Sequence, residues 1–466
     1  MTNNWKLTIL GGGMAGLAVA YYATKRQIPL VLYEAANRVG GNTVTLQQGD
    51  FLYDSGAHRV HDRDPSVTTE IKTLLGPDLQ KINVPSQIYH NGCLIDFPLS
   101  PLNLLRNFGL LKFTRAAAEV LRSRLNGREG NQNFEDFAVR TYGREIAESF
   151  LLNYSQKLWG VPCSNLSVNI AGKRLRGLDI RTFLVEALFG QKAKTDHLEG
   201  SAFYYPKQGI GTIPETIARL CGYEHIELSS RVTRILHDTG RIQEIEINGE
   251  RRVTVGSHTV VSTLPMNYFL NSMEPKPPEE IARLAEKLKF RNLILVAFFL
   301  NKETITHNAT TYFPEGAFPL TRFYEPKNRS SNMSPPGKTS VVAEIPCQPE
   351  DSIWRANDAD LIKMISEHLF RIGWIKKEEI LDSAVQRLEY AYPILETSFE
   401  ERVGKIIDYL SSFENLKLSG RNALFAYSWV HDMMRLGREI VDTLKVPGLE
   451  GHNDTHGGLK KVDPLI

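Results

Sequence analysis

The residues best suited to chemistry stand at the very start of the chain. Gly11-Gly12-Gly13-Met14-Ala15-Gly16 follows the apolar run Lys6-Leu-Thr-Ile-Leu10, and Glu34 closes a second apolar run, Pro29-Leu-Val-Leu-Tyr33. Gly11 permits a tight turn, Gly13 lets a pyrophosphate approach the backbone, and Gly16 lets a helix pack closely on a strand. A helix beginning there offers unbonded N–H groups and a partial positive charge to phosphate oxygens. Glu34, 18 residues beyond Gly16, can accept hydrogen bonds from ribose hydroxyls. This set binds a dinucleotide. The elements that must position it are two parallel strands and a helix through Leu17–Lys25, whose small and apolar residues recur at helical spacing.

Past Glu34 the chain reads Ala35-Ala36-Asn37-Arg38-Val39-Gly40-Gly41-Asn42-Thr43. Arg38 can neutralise pyrophosphate charge, and the Gly40-Gly41 pair lets the chain run close beneath a cofactor. With these residues the sequence resembles the FAD-dependent amine oxidase and protoporphyrinogen oxidase superfamily, close to the UDP-galactopyranose mutase-like flavoproteins. Asn42 departs from the Lys or Arg more often found there.

The resemblance implies further site residues. In Asp54-Ser55-Gly56-Ala57-His58-Arg59 it places His58 beside the flavin ring. In Tyr154-Ser-Gln-Lys157-Leu-Trp159, and at Arg174, it implies the lining of a substrate cavity, with Trp159 as a stacking surface and Arg174 as a fork for phosphate or carboxylate oxygens. Arg231-Val232 would run beside the adenine. Arg291, at the start of a buried strand, and Tyr312, Arg322 and Tyr392 join the substrate set, the last three on positions that contact a substrate diphosphate in the mutases. Near the C-terminus, Gly420-Arg421, Tyr427 and Asp432 fall in a motif of strand, Gly-Arg and helix that faces the pyrimidine edge of the flavin, with Tyr427 toward ring and sugar. Trp429 stands where the mutases usually have a small or acidic residue. His58, Tyr427, Arg174 and Arg322 are the expected catalytic group.

Composition bounds the alternatives. The chain has 466 residues, 42% of them apolar and 23% charged, an ordinary globular balance that argues against disorder. Lys plus Arg number 55 against 53 Asp plus Glu, too even for a protein that reads nucleic-acid phosphates over a broad face. Four scattered cysteines suit reduced thiols rather than a disulfide framework, and no metal site is expected. The longest apolar run, Leu293–Leu300, is far below the roughly 20 residues of a membrane span. With no hydrophobic leader after Met1, a cytoplasmic enzyme is expected. The leucine-rich, basic stretch Leu99–Leu125 suits amphipathic helices packed on a substrate domain better than docking on a membrane surface. Gly209-Ile-Gly211 lacks a third glycine and an acid-ended partner strand, so it predicts a helix start capped by Thr212 and no second, NAD(P)H-binding unit. Ile226–Leu264 alternates apolar and polar residues through Gly240 and Asn248-Gly249, which predicts β-hairpins.

The expected fold class is therefore α/β: a discontinuous Rossmann-type FAD-binding domain (1–65, 200–265, 405–447), a mixed α+β substrate domain (66–199, 266–404) and a mobile tail (448–466). Two chemistries fit FAD held this way. One is net oxidation, with hydride passing from a C–H beside nitrogen or oxygen to flavin N5. The other is a non-redox sugar mutase using reduced flavin. A flavoprotein retained only as a scaffold is a third reading. The paired arginines 174 and 322 point to an anionic small molecule as partner. Oligomeric state is not legible.

Overall fold

Five short strands lie parallel in the order Leu416–Leu418, Thr259–Ser262, Leu7–Leu10, Leu30–Tyr33 and Ile226–Glu227. Covered by helices, such a sheet reads as apolar runs without alternation, as Leu7–Leu10 does. The computed structural model describes residues 5–97, 115, 118–119, 132–171, 202–238 and 240–446. Arg174, the tail 448–466 and nearly all of Leu99–Leu125 lie outside the described residues.

The helix Met14–Lys25 follows the first strand, starting at Met14 rather than Leu17. Helix Val430–Asp442 crosses it closely because position 437 is glycine: a Cβ there would stand 2.8 Å from the backbone of Ala18. The predicted hairpins are present as Val232–Asp238, Arg241–Ile247 and Arg251–Thr254, turning at Gly240 and at Asn248-Gly249 with positive φ throughout.

A seven-stranded sheet forms the other half, in the order Ile380–Pro393, Phe290–Leu300, Thr339–Cys347, Arg322–Tyr324, Thr310–Tyr312, Ser86–His90 and Cys93–Phe97. Its second strand, Phe290–Leu300, is buried at every residue. Over it lie the helical turns leading to Asn153–Trp159, which pass through one π-helical turn at Ala147–Leu152. No helix among the described residues is long and apolar enough to cross a membrane. All four cysteines are free.

One local expectation is corrected. Thr212 is the first residue of helix Thr212–Cys221, not its cap, and Gly211 precedes it without a side-chain cap bond. The loop is held from outside instead: Gly211 N–H donates to Thr45 Oγ1 at 2.9 Å and Ile210 N–H to Asp54 Oδ1 at 3.0 Å. Glycine is needed because a Cβ at Gly211 would lie 2.5 Å from the Thr45 nitrogen.

Candidate active site

A cavity of about 1100 Å³ runs from the opening glycines to Leu293, Tyr312, Arg322 and Tyr392 of the large sheet. At its first end, Gly11, Gly13, Met14, Ala15, Glu34, Gly40, Gly41 and Asn42 line the wall. Gly13 and Gly40 are bridged, and a Cβ on Gly41 would come 3.1 Å from the Gly13 Cα, so the two glycine segments touch backbone to backbone. Helix Met14–Lys25 has no side-chain cap and no acid in its first turn. Its N–H groups therefore remain for an anion. Glu34 is fixed by N–H groups of Gly12 (2.6 Å) and Ala36 (2.8 Å). Gly420, at φ 89°, closes the cradle: a Cβ would lie 2.5 Å from that of Ala15. These residues fit the diphosphate and ribose of FAD.

The second end is an aromatic chamber. Trp159, Tyr392 and Tyr427 form a triangle with ring centroids 6.1–6.2 Å apart. Tyr154 meets Tyr312 edge-on at 5.7 Å. Strand pairing sets Arg322 opposite both Tyr312 and Glu344. Its Nε donates to Glu344 Oε2 at 2.5 Å and its Nη2 to the Tyr392 hydroxyl at 2.5 Å. Glu344 is fully buried and also accepts from the Ala57 N–H at 2.8 Å. Burial opposes the Arg322 charge, yet the Glu344 carboxylate holds its pKa well above the ordinary value. Burial pushes the Tyr392 phenol up to about 12, so it stays neutral. Arg421 lies 4.9 Å over the Tyr427 ring, and its guanidinium donates to the carbonyls of Ser428 and Ala391, bracing the loop after Gly420. Trp429 is edge-on to Tyr427 at 5.4 Å, with Arg63 3.8 Å over its ring.

His58 stands where the two ends meet. Its Nε2 is 3.0 Å from the Asn42 carbonyl, which can only accept, so the proton sits on Nε2 and Nδ1 is left as an acceptor. Burial, then the charges of Arg421, Arg329 and Arg322, push its pKa from 6.5 down to about 3. The unfolded chain therefore takes up the proton first as pH falls. The folded state should lose stability below pH 6.5 by up to about 1.4 kcal/mol per pH unit until pH nears 3. Melts of wild type and His58→Phe across that range test this, the variant expected to lack that share of the acid sensitivity.

Other expected site residues lie outside the cavity wall. Arg291 is buried beneath it, donating to the carbonyls of Leu158, Lys157 and Pro346, so it holds the end of helix Asn153–Trp159. Arg38 folds back onto the Gly41 carbonyl at 3.2 Å. Asp432 accepts from the Trp429 N–H at 2.9 Å at the start of its own helix. Val232 is buried with its carbonyl bonded to the Tyr268 hydroxyl. Ala35 is exposed, and Gly16 packs against the strand turn.

Two carboxylates that hold the site had no assigned role in the sequence. Glu344 is a lone acid in the apolar strand Thr339–Cys347, a pattern that itself demands a buried partner. Asp54 is fully buried, accepting from the hydroxyls of Tyr205 (2.5 Å) and Thr45 (2.7 Å), while its carbonyl accepts from Tyr324 at 2.7 Å.

Comparisons with known proteins agree with this geometry. Protoporphyrinogen oxidase 1, chloroplastic, of Arabidopsis thaliana is 27% identical over 64% of this chain and 59% of its own. Coproporphyrinogen III oxidase of Bacillus subtilis (strain 168) is 21% identical over 87% and 91%. The chain spans less than two thirds of the length of the plant relatives it matches. A crystal structure of reduced UDP-galactopyranose mutase superposes with TM-score 0.82 at 20% identity, covering 94% of this chain and 93% of the other. That likeness is one of fold. The family model for flavin containing amine oxidoreductase matches residues 14–372, most of the chain. With the glycine cradle, the fixed Glu34 and the matched span all in agreement, this chain belongs to the flavin containing amine oxidoreductases, and its cofactor is FAD.

Proposed function

We propose that this chain is an FAD-dependent oxidoreductase that oxidises a small molecule carrying an aromatic or cyclic body and an anionic group. The observation that supports it is a neutral His58 among the charges of Arg421, Arg329 and Arg322 at the junction of cradle and chamber. Glu344 balances the charge of Arg322, and Arg421, held by the carbonyls of Ser428 and Ala391, adds positive charge that favours negative charge on a bound substrate or on a cofactor that has accepted electrons. FAD, when bound, supplies the two-electron acceptor for a substrate C–H bond. The chain supplies placement. Trp159, Tyr392 and Tyr427 offer flat apolar surface, Tyr154 and Tyr312 line the same chamber, and Arg322 orients the anionic group while Glu344 and Tyr392 keep it in one rotamer. His58 donates to Asn42 and so fixes the second glycine loop. The FAD-binding part is proposed to comprise 1–65, 200–265 and 405–447, and the substrate part 66–199 and 266–404, with Arg174 as a second anion contact.

A mutase acting on a nucleotide sugar is the second reading, favoured by Tyr312, Arg322 and Tyr392 lining one chamber. Against it stands Trp429, edge-on to Tyr427 at 5.4 Å, where the mutases usually have a small or acidic residue. Stoichiometry separates the two. The oxidoreductase consumes one acceptor per product and stops under argon. Repeated turnover of UDP-galactopyranose by chemically reduced protein without an acceptor would overturn the proposal. Arg322→Ala is expected to raise KM for the anionic substrate about tenfold, a loss of about 1.4 kcal/mol, with FAD content unchanged.

A further inference from the structure

Lys157 lies on helix Asn153–Trp159 between Tyr154 and Trp159, yet outside the cavity wall. Its Nζ donates to three main-chain carbonyls: Glu315 at 2.9 Å, Phe318 at 3.1 Å and Leu320 at 2.9 Å. An ammonium has three donors and no acceptor, so three converging carbonyls match it in number and sign. The segment it grips, 313–321, joins the strand ending at Tyr312 to the strand beginning at Arg322. The same helix is held at its C-terminal end by Arg291, whose guanidinium would be 2.5 Å from any Cβ at Gly160.

We propose that Lys157 is a positioning residue: its ammonium ties the helix bearing Tyr154 and Trp159 to the loop between Tyr312 and Arg322, and so sets the width of the chamber. This rests on the chamber being the substrate site. The tie is pH-sensitive. Burial brings Lys157 down from 10.5 to about 7. The neutral amine keeps two N–H donors and turns a lone pair on the third carbonyl. The loop is thus held below about pH 7 and loosened above it.

Other titratable or charged groups face this junction. Glu315 is on the loop itself, with His90 Nδ1 3.2 Å from its carboxylate. His368 and Arg371, on helix Asp358–Arg371, lie 5.5 and 5.7 Å from the Phe318 ring. Asp351 stands 3.6 Å from Arg291.

Hydrogen exchange of the FAD-loaded protein at about pH 6 and about pH 8.5, corrected for the chemical rate, reads the tie directly. Benzoate, an aromatic carboxylate, serves as the chamber probe through its effect on the flavin spectrum. In wild type, amides of 313–321 should exchange about fivefold faster at the higher pH, and benzoate should bind about threefold more weakly. Lys157→Met should show the loosened behaviour at both pH values, and Lys157→Arg, which keeps its charge, the held behaviour at both. FAD content should be equal in all three. Equal protection in wild type and Lys157→Met would overturn the proposal. So would pH-dependent loosening that persists in Lys157→Arg, since His90 or His368 would then be responsible, or a loosened loop with unchanged benzoate affinity. Should Lys157→Met not fold, the pH series on wild type and Lys157→Arg decides alone. A wild-type protein that ignores benzoate would count against the anionic-substrate reading, while the exchange comparison still decides the tie.

Discussion

Gly16→Ala is expected to purify without FAD. A Cβ at this position would stand 1.9 Å from the Gly11 carbonyl oxygen and 3.2 Å from the Ile9 side chain. The first neighbour is backbone and cannot swing away. Relief requires the helix Met14–Lys25 to lift from the strand Leu7–Leu10, which turns the Met14 and Ala15 N–H groups away from the diphosphate. Overpacking of this kind costs about 1–3 kcal/mol in stability. At least about a tenfold loss of FAD affinity, about 1.4 kcal/mol, should accompany it. Flavin absorbance per protein and titration of the apoprotein with FAD provide the measurement. Full FAD occupancy in the variant would show that the cofactor does not rest on this turn.

Glu344→Gln should be the most destabilising single change in the chamber. The residue is completely buried, and its carboxylate is the counter-charge to Arg322, whose side chain is 17% exposed. Removing one partner of such a pair leaves a desolvated guanidinium and costs about 3–5 kcal/mol. Denaturant unfolding should register that loss, and Glu344→Gln combined with Arg322→Met should recover much of it. The orphaned arginine also makes the variant a better anion binder, so benzoate should raise its melting temperature more than that of wild type. Unchanged stability would mean that water, not Glu344, satisfies Arg322.

The opening glycine turn and Glu34 were legible because their determinants are local. Gly11, Gly13, Gly16 and Glu34 sit within one strand–helix–strand unit, and each demand, a tight turn or a close approach, is met by a residue type. The α/β class followed from the same unit. The chamber was only partly legible. Arg322, Tyr392 and Glu344 come from three strands of one sheet, and which pairs face each other depends on registers that sequence does not display. Arg291 illustrates the difficulty: an arginine at the head of a buried strand looks like a ligand for substrate, but its donors belong to carbonyls at a helix end. Thr212 was misread for a related reason, because the loop's donors find Asp54 and Thr45 from distant segments.

The widened turn at Ala147–Leu152 has a consequence for how this scaffold can diversify. A turn of that kind holds one residue more than an ordinary helix needs. Removing that residue would swing the preceding segment by about 100° while Tyr154 and Trp159, downstream and separately anchored, kept their places. Phe150 and Leu151, which line the cavity from within the turn, would be exchanged for other side chains. The ceiling of the pocket can thus be retailored by a single codon's gain or loss, without disturbing the floor.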